Sequence, residues 1–156
     1  MQREAFMQRA VALSVDSMRA NRGGPFGAVI VRDGKIVAEG TNEVTSANDP
    51  TAHAEIVAIR RACAALATFE LDDCEIYTSC EPCPMCLGAI YWTRLARIYY
   101  ANTRDDAARI GFDDALLYRE IAQPLDARKI PTLRLAPPQA AAAFEEWAHK
   151  PDKMPY

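Results

Sequence analysis

The sequence contains no uninterrupted apolar run close to the roughly 20 residues that a transmembrane helix requires. Its first residues, 1–6, carry an early acidic residue and lead into an amphipathic pattern, which is not typical of a secretory signal. Positive charge is also in short supply, because 18 Lys and Arg stand against 21 Asp and Glu. Tight nucleic-acid binders usually carry a basic face, so we expect neither a membrane nor a nucleic acid as the main partner.

Histidine and cysteine are few as well. The chain has two histidines and five cysteines, and an odd number of cysteines argues against a fully paired disulfide framework. Reduced cysteines predict a cytoplasmic location. The 156 residues, 50% of them apolar, are enough for one globular domain over residues 1–156 with its own core.

Hydrophobic spacing and turn residues predict helices that alternate with strands. An Asp33-Gly34 turn is expected to join two strands in a hairpin, and Asp49 or Thr51 is expected to cap the helix that follows. The predicted helices cover residues 3–21, a segment after residue 51, 83–92, 114–120 and 138–149, and the predicted strands cover 26–31, 35–40, 75–79, 96–100 and 132–135. This order indicates a three-layer α/β domain with a mixed sheet.

Two short segments predict a metal site, namely Thr51-Ala52-His53-Ala54-Glu55 and Glu81-Pro82-Cys83-Pro84-Met85-Cys86. One histidine and two cysteines supply three zinc ligands and leave one tetrahedral position for water. Cys83 and Cys86 are three residues apart and so share one helical face. Glu55 is placed to move protons to and from that water. The pattern H-x-E followed by P-C-x-x-C is typical of zinc-dependent nucleobase deaminases.

Other interpretations of these cysteines remain open. Cys80 lies three residues before Cys83, so the three cysteines could bind a cluster or complete a closed Cys₃His structural zinc site. An iron–sulfur site would need a fourth cysteine soon after Cys86, and none follows. A non-catalytic zinc module that binds a partner is a further alternative, and it would have no use for Glu55.

Beyond the metal motif, four stretches resemble the cytidine-deaminase superfamily: residues 24–29, Asn42, residues 49–55 and residues 78–86. The Gly111-Phe112-Asp113-Asp114 segment and the aromatic C-terminal tail resemble most the small zinc-dependent guanine deaminases of bacteria. The resemblance spans essentially the whole chain. It implies an α/β/α cytidine-deaminase-like fold with a central mixed sheet of about five strands. It also implies hydrolysis of guanine, a small purine base, to xanthine and ammonia.

The resemblance further implies roles for single residues. One Zn²⁺ per subunit is held by His53, Cys83 and Cys86 with water as the fourth ligand, and Glu55 and Asp114 are catalytic. The implied substrate-binding residues are Phe26, Asn42, Ala54, Trp92, Asp114 and Tyr156. Members of the family are homodimers that exchange C-terminal segments, so residues from about 122 to 156 are expected to be exchanged and Tyr156 to close the partner's pocket.

Two rival substrates fit the same chemistry. Deaminases of the wobble adenosine in tRNA share the Asp-Pro-Thr-Ala-His-Ala-Glu segment, but they hold a folded RNA loop, which favours clustered Lys and Arg. This chain instead places four acidic residues after its fourth predicted strand: Asp105, Asp106, Asp113 and Asp114. Free cytosine or another aminopurine is the second alternative.

Overall fold

Four strands form one mixed sheet in the order β2-β1-β3-β4. The structure is a computed structural model that describes residues 1–156. The strands are β1 (Gly27–Arg32), β2 (Lys35–Thr41), β3 (Cys74–Cys80) and β4 (Arg97–Asn102). β1 is antiparallel to both of its neighbours, whereas β3 and β4 are parallel. The predicted mixed sheet is therefore present, with four strands rather than about five.

The hairpin between β1 and β2 forms where the sequence predicts it. Asp33 and Gly34 have φ angles of 50° and 72°, the left-handed values that a two-residue hairpin turn requires. Arg32 pairs with Lys35 across the turn, and the register shifts once, between Ile30 and Val31. Such a bulge increases the local twist of the pair.

Helices cover both faces of the sheet. Residues 1–114 contain α1 (Gln2–Arg19), the single turn α2 (Val44–Ala47), α3 (Ala54–Leu66), α4 (Pro84–Trp92) and α5 (Arg104–Arg109). None of the helices has both the length and the apolar character that crossing a bilayer requires.

The central strand β1 is buried on both sides, which explains its continuous apolar sequence. Ala28 and Ile30 join the cluster that contains α3 residues such as Ala58. Val29 and Val31 point to the other face and pack with Leu13 of α1 and Tyr77 of β3. The three-layer α/β/α arrangement is thus confirmed, and the side-chain period of two along β1 produces it.

A glycine sets how closely α3 approaches the sheet. A Cβ atom at Gly40 in β2 would lie 2.2 Å from the carbonyl oxygen of Ala54 and 2.5 Å from the amide nitrogen of Ala58. No other residue fits at this distance without moving backbone. Gly40 therefore fixes the position of the first turn of α3 against β2.

Residues 115–156 form a second compact unit. It contains α6 (Ala115–Ala122), a 3-10 turn (Leu125–Ala127) and α7 (Pro138–His149). The Arg128 guanidinium donates to the carbonyls of Glu120 and Gln123, and the Lys129 amide donates to the Glu120 carboxylate at 2.7 Å. These bonds hold the chain after α6 against the end of that helix.

The strand predicted at 132–135 is wrong. Thr132-Leu133-Arg134-Leu135 alternates polar and apolar residues, but the segment belongs to no sheet and stays exposed. An alternating pattern fixes the spacing of side chains without supplying a pairing strand. The segment is also bounded by Pro131 and Pro137, which lack the amide hydrogen that extends a ladder.

Candidate metal centre and active site

Both halves of the metal motif lie at the beginning of a helix, as predicted. His53 is the N-cap residue of α3, and Cys83 is the N-cap residue of α4, where Pro84 occupies the first helical position. Proline suits that position because its missing N–H would have no partner there. The positive end of each helix faces the site and favours thiolates and other anions.

The predicted helix caps, however, are wrong. The Asp49 carboxylate accepts hydrogen bonds from the Thr51 amide at 2.9 Å and from the Thr51 hydroxyl at 2.7 Å. These bonds close a local turn of the kind that short acidic side chains favour. α3 begins only at Ala54, so the residue at the cap position is the metal-ligand candidate His53, which makes no side-chain capping bond.

Three side chains from the two helix starts converge on one point. Nδ1 of His53 lies 3.6 Å from Sγ of Cys83 and 3.5 Å from Sγ of Cys86. All three ligand atoms lie within 4.8 Å of one another. Zinc bonds of 2.0–2.3 Å in tetrahedral geometry separate ligand atoms by roughly 3.5–3.8 Å. The donor set and its spacing therefore fit a zinc ion.

The pKa values of the three candidate ligands are shifted by their contacts with one another. A hydrogen bond from Cys86, followed by one from His53, lowers the pKa of Cys83 to about 4 in spite of burial. The same contact with Cys83, followed by burial, raises the pKa of the Cys86 thiol, and the Cys83 contact raises that of His53. Zinc ligation requires both cysteines as thiolates and a neutral imidazole, so metal binding would displace the protons that these groups carry.

Glu55 lies beside the ligands and is not one of them. It is 6% exposed, at the second position of α3. Its Oε2 accepts a hydrogen bond from the Cys86 thiol at 3.4 Å, and its Oε1 accepts one from the Thr78 hydroxyl at 3.2 Å. Burial raises the pKa of Glu55. A buried carboxyl group of this kind can hold a proton at neutral pH.

The closed structural zinc site and the cluster are not supported. Cys80, the last residue of β3, has its Sγ 3.7 Å from the carbonyl oxygen of Thr103. Burial raises the pKa of this thiol to about 11. The ligand group comprises His53, Cys83 and Cys86 without a fourth sulfur. The protein thus brings three ligand atoms together here, the number that catalytic zinc sites supply.

Asn42 follows β2 and is 6% exposed. Its Oδ1 accepts a hydrogen bond from the Val44 amide at 3.1 Å, and its carbonyl accepts one from the Ser17 hydroxyl at 3.1 Å. A Cβ atom at Gly23 would lie 2.3 Å from Oδ1. Asn42 thus also stabilises a turn, and the Val44 amide and the close approach of Gly23 fix the position of its side chain.

Phe26, Ala54 and Asp114 also lie in this part of the molecule. Phe26 packs against the core cluster that contains the completely buried Ala54, and its ring meets that of Phe112 edge-on with the centroids 4.9 Å apart. Burial, followed by the negative charge of Cys83, raises the pKa of Asp114.

Trp92 and Tyr156 were also predicted to line the pocket, and Trp92 lies away from the metal ligands of its own chain. Trp92 is the last residue of α4 and is 70% exposed. Nine residues of helix rise separate it from Cys83 by about 13 Å. Tyr156 belongs to the second compact unit, where it is 72% exposed.

The sequence reasoning missed Thr78. Residues 76, 78 and 80 of β3 point to the α3 side of the sheet, and Thr78 is the hydroxyl residue in that inward row. A polar side chain in a buried row needs a hydrogen-bond partner, and this signal could have identified it. Phe112 was noted only as part of a motif, and its contact with Phe26 depends on the tertiary structure.

The fold and the metal motif define a class of proteins, and the chain belongs to it. The family described as the cytidine and deoxycytidylate deaminase zinc-binding region matches residues 1–102. The predicted superfamily is therefore confirmed. It is the class that the open three-ligand site with an adjacent buried glutamate indicates.

Among particular proteins, the chain is similar over its whole length to the guanine deaminase of Bacillus subtilis (strain 168). The two are 52% identical over 156 residues, which are 100% of each chain. The X-ray structure of guanine deaminase from Bacillus subtilis gives a TM-score of 0.97 and covers 100% of this chain and 99% of that chain. The predicted resemblance to bacterial guanine deaminases is confirmed.

Two further relatives share less of the chain. A solved guanine deaminase from Nitrosomonas europaea is 38% identical with a TM-score of 0.69, and the match covers 72% of this chain and 65% of that chain. A tRNA-specific adenosine deaminase from Agrobacterium fabrum is 47% identical over 76 residues, 49% of this chain and 50% of that protein. This sequence match thus covers about half of each chain.

Proposed function

We propose that this chain catalyses the zinc-dependent hydrolysis of guanine to xanthine and ammonia. The observation that carries the proposal is the open three-ligand group with the buried Glu55 carboxylate beside it. The full-length similarity to the guanine deaminase of Bacillus subtilis directs the substrate assignment to guanine.

The imidazole of His53 and the thiolates of Cys83 and Cys86 would hold one zinc ion per chain, and the ion would supply an activated water. Bound zinc acts as a Lewis acid that lowers the pKa of water towards about 7 and makes a nucleophile available at neutral pH. The protein supplies two helix N-termini, which stabilise the negative charge of the ligands.

Glu55 moves the protons of the reaction. It takes one proton from the water that attacks C2 of guanine and delivers it to a ring nitrogen. It then moves the second proton from the new C2 hydroxyl to the exocyclic amine, which leaves as ammonia while C2 becomes a carbonyl. Its burial supports this role, because a raised pKa allows the carboxyl group to hold the proton between two transfers. Its Oε2 faces the metal ligands through the contact with Cys86.

The base is held by groups that complement a purine edge. The backbone amide of Val44 donates a hydrogen bond to Oδ1 of Asn42. The side-chain N–H groups of Asn42 are therefore left to donate to purine acceptors. The ring of Phe26 and the imidazole of His53 sandwich the base, and Ala54 lines the pocket. The Asp114 carboxylate accepts from the amine side of guanine.

The functional unit is a homodimer in the cytoplasm that exchanges residues from about 122 to 156 and acts in guanine catabolism. The second compact unit exposes several large apolar side chains, including Leu133 at 85%, Leu135 at 90% and Phe144 at 82%. Exposed apolar groups of this size commonly mark protein contacts. Tyr156 closes the pocket of the partner, and Trp92 contributes to a pocket across the same subunit contact.

A panel of substrates tests the activity. Purified, zinc-loaded protein is incubated with guanine, adenine, cytosine, guanosine and a tRNA anticodon stem-loop, and ammonia release is followed. We expect release from guanine and weak release from guanosine, because a closed pocket leaves little room for ribose. The same protein treated with a chelator is the control. Release from the stem-loop alone would contradict the proposal and support the tRNA adenosine alternative.

A further inference from the structure

Thr78 occupies a position that two neighbouring strands fix. It lies in β3, opposite Ala28 of β1 and Tyr100 of β4, and is 1% exposed. The β-branched side chain of threonine has few allowed χ1 rotamers. The place of its hydroxyl is therefore set by the sheet and not by a mobile loop.

The Thr78 hydroxyl lies within hydrogen-bond distance of two oxygens. Oγ1 is 3.2 Å from Oε1 of Glu55 and 2.9 Å from the carbonyl oxygen of Cys80. Because α3 and β3 are distant in sequence, this contact joins the helix that carries Glu55 to the centre of the sheet. A glutamate side chain has three rotatable torsions, so a fixed partner at its end restricts where the carboxyl group points.

The second contact of Glu55 cannot persist in the metal-loaded protein. Its Oε2 accepts from the Cys86 thiol, but a cysteine that ligates zinc does so as a thiolate and has no hydrogen to donate. Thr78 then remains as the side chain within hydrogen-bond distance of the Glu55 carboxyl group. Its contact is to Oε1, which leaves Oε2 directed towards the reaction.

We propose that Thr78 is a positioning residue for the deamination reaction, and that its hydroxyl orients the Glu55 carboxyl group for proton transfer. This inference rests on the proposed function. Thr78 acts through Glu55 and touches neither substrate nor metal. The consequence is a role in kcat with little effect on KM, since substrate binding does not depend on it.

Three variants test this role. Thr78→Val removes the hydroxyl and keeps a β-branched side chain that suits a strand, and Thr78→Ser keeps the hydroxyl. Thr93→Val is the matched control, because the Thr93 hydroxyl is also buried but donates to carbonyls of α4, those of Ala89 and Ile90. Zinc content is measured for each protein before kinetics.

General acid–base catalysis contributes roughly 10²–10⁴ in rate. A misoriented Glu55 carboxyl group would lose part of this contribution. We expect Thr78→Val to lower kcat by about 10-fold or more, with unchanged zinc content and a KM within about twofold of the original. Thr78→Ser should restore kcat to within about threefold, and Thr93→Val should leave kcat unchanged. An unchanged kcat in Thr78→Val, or equal losses in Thr78→Val and Thr93→Val, would overturn the inference.

Crystal structures of the zinc-loaded original protein and Thr78→Val give a readout independent of substrate. We expect the Glu55 carboxyl group to rotate or become disordered in the variant, and an unmoved carboxyl group would refute the positioning role. This arm separates the two proposals. Absence of guanine turnover in the original protein refutes the proposed function alone, whereas normal turnover in Thr78→Val refutes only the role of Thr78.

Discussion

The first turns of α3 and α4 face the same site with different chemistry. Each helix is preceded by a ligand, His53 for α3 and Cys83 for α4. The next functional residue lies two positions after the histidine in one case and three positions after the cysteine in the other. α4 thus supplies two sulfurs that lie with His53 in one ligand group. α3 supplies one nitrogen and Glu55, the residue that we propose as the proton carrier.

The difference in spacing explains the difference in role. Residues three apart at a helix start lie on one face, so Cys86 reaches the same ion as Cys83. Residues two apart diverge, so Glu55 points beside the ion and not at it. In the proposed mechanism the start of α4 is therefore the binding half and the start of α3 the catalytic half of the site, and variants can separate them.

Removal of a sulfur should have the largest effect, because it breaks the binding half. Cys83→Ala and Cys86→Ala should lose bound zinc and all measurable guanine turnover, a greater loss than the 10–100-fold typical of residues outside the ligand shell. Metal analysis of purified protein and ammonia release measure the two effects. Cys63→Ala, a half-buried thiol of α3 outside the ligand group, should keep both. Full zinc content in Cys86→Ala would show that the ligand set is wrong.

Glu55→Gln should break the catalytic half alone. The amide keeps the shape of the side chain but cannot accept and return a proton, so kcat should fall by about 10²–10⁴ with zinc content unchanged. Glu39→Gln, which alters an exposed ion pair with Arg9, is the control. Undiminished turnover in Glu55→Gln would exclude the proposed mechanism and favour a non-catalytic zinc module.

Alanine substitutions at two glycines test how strongly stability and turnover depend on the packing of α3 and of α4. Gly40→Ala forces a Cβ atom against the backbone of α3, and we expect a loss of about 1–3 kcal/mol in unfolding free energy together with reduced kcat. A Cβ atom added at Gly88 of α4 would meet no atom within 4 Å beyond its chain neighbours and the backbone of its own helix. Gly88→Ala should therefore stabilise the protein by about 0.5–1 kcal/mol through helix propensity. Urea unfolding and kinetics measure both, and equal effects would show that the close approach at Gly40 is unimportant.

The smallest effect on the unfolding free energy is expected for Arg61, an exposed residue of α3. Arg61 donates to the carbonyl of Glu39 and to the carboxylate of Glu43, both at 2.9 Å, and its side chain is 54% exposed. Arg61→Ala should cost less than about 1 kcal/mol in unfolding free energy, with the difference shrinking at high salt. Turnover should stay unchanged. A loss above about 2 kcal/mol would contradict this expectation, because it exceeds what an exposed, solvent-screened ion pair contributes to stability.

Most of the site could be predicted because its signals are local. The H-x-E and C-x-x-C spacings depend on the geometry of one helical turn, and the Asp33-Gly34 hairpin depends on two φ angles. The caps and the strand at 132–135 were predicted wrongly for the opposite reason. Asp49 has the chemistry of a cap but uses it in a turn with Thr51, and the alternating segment at 132–135 lacks a pairing strand.

The sequence by itself determined the three candidate metal ligands and the glutamate two residues after the histidine, because these follow from residue type and spacing within single turns. Only the tertiary structure decided that His53 and Cys83, 30 residues apart, meet at 3.6 Å, and that Glu55 is buried against Thr78. The physical reason is that such distances depend on strand order, register and the close approach of α3 at Gly40. These are properties of elements packed together and not of any one segment.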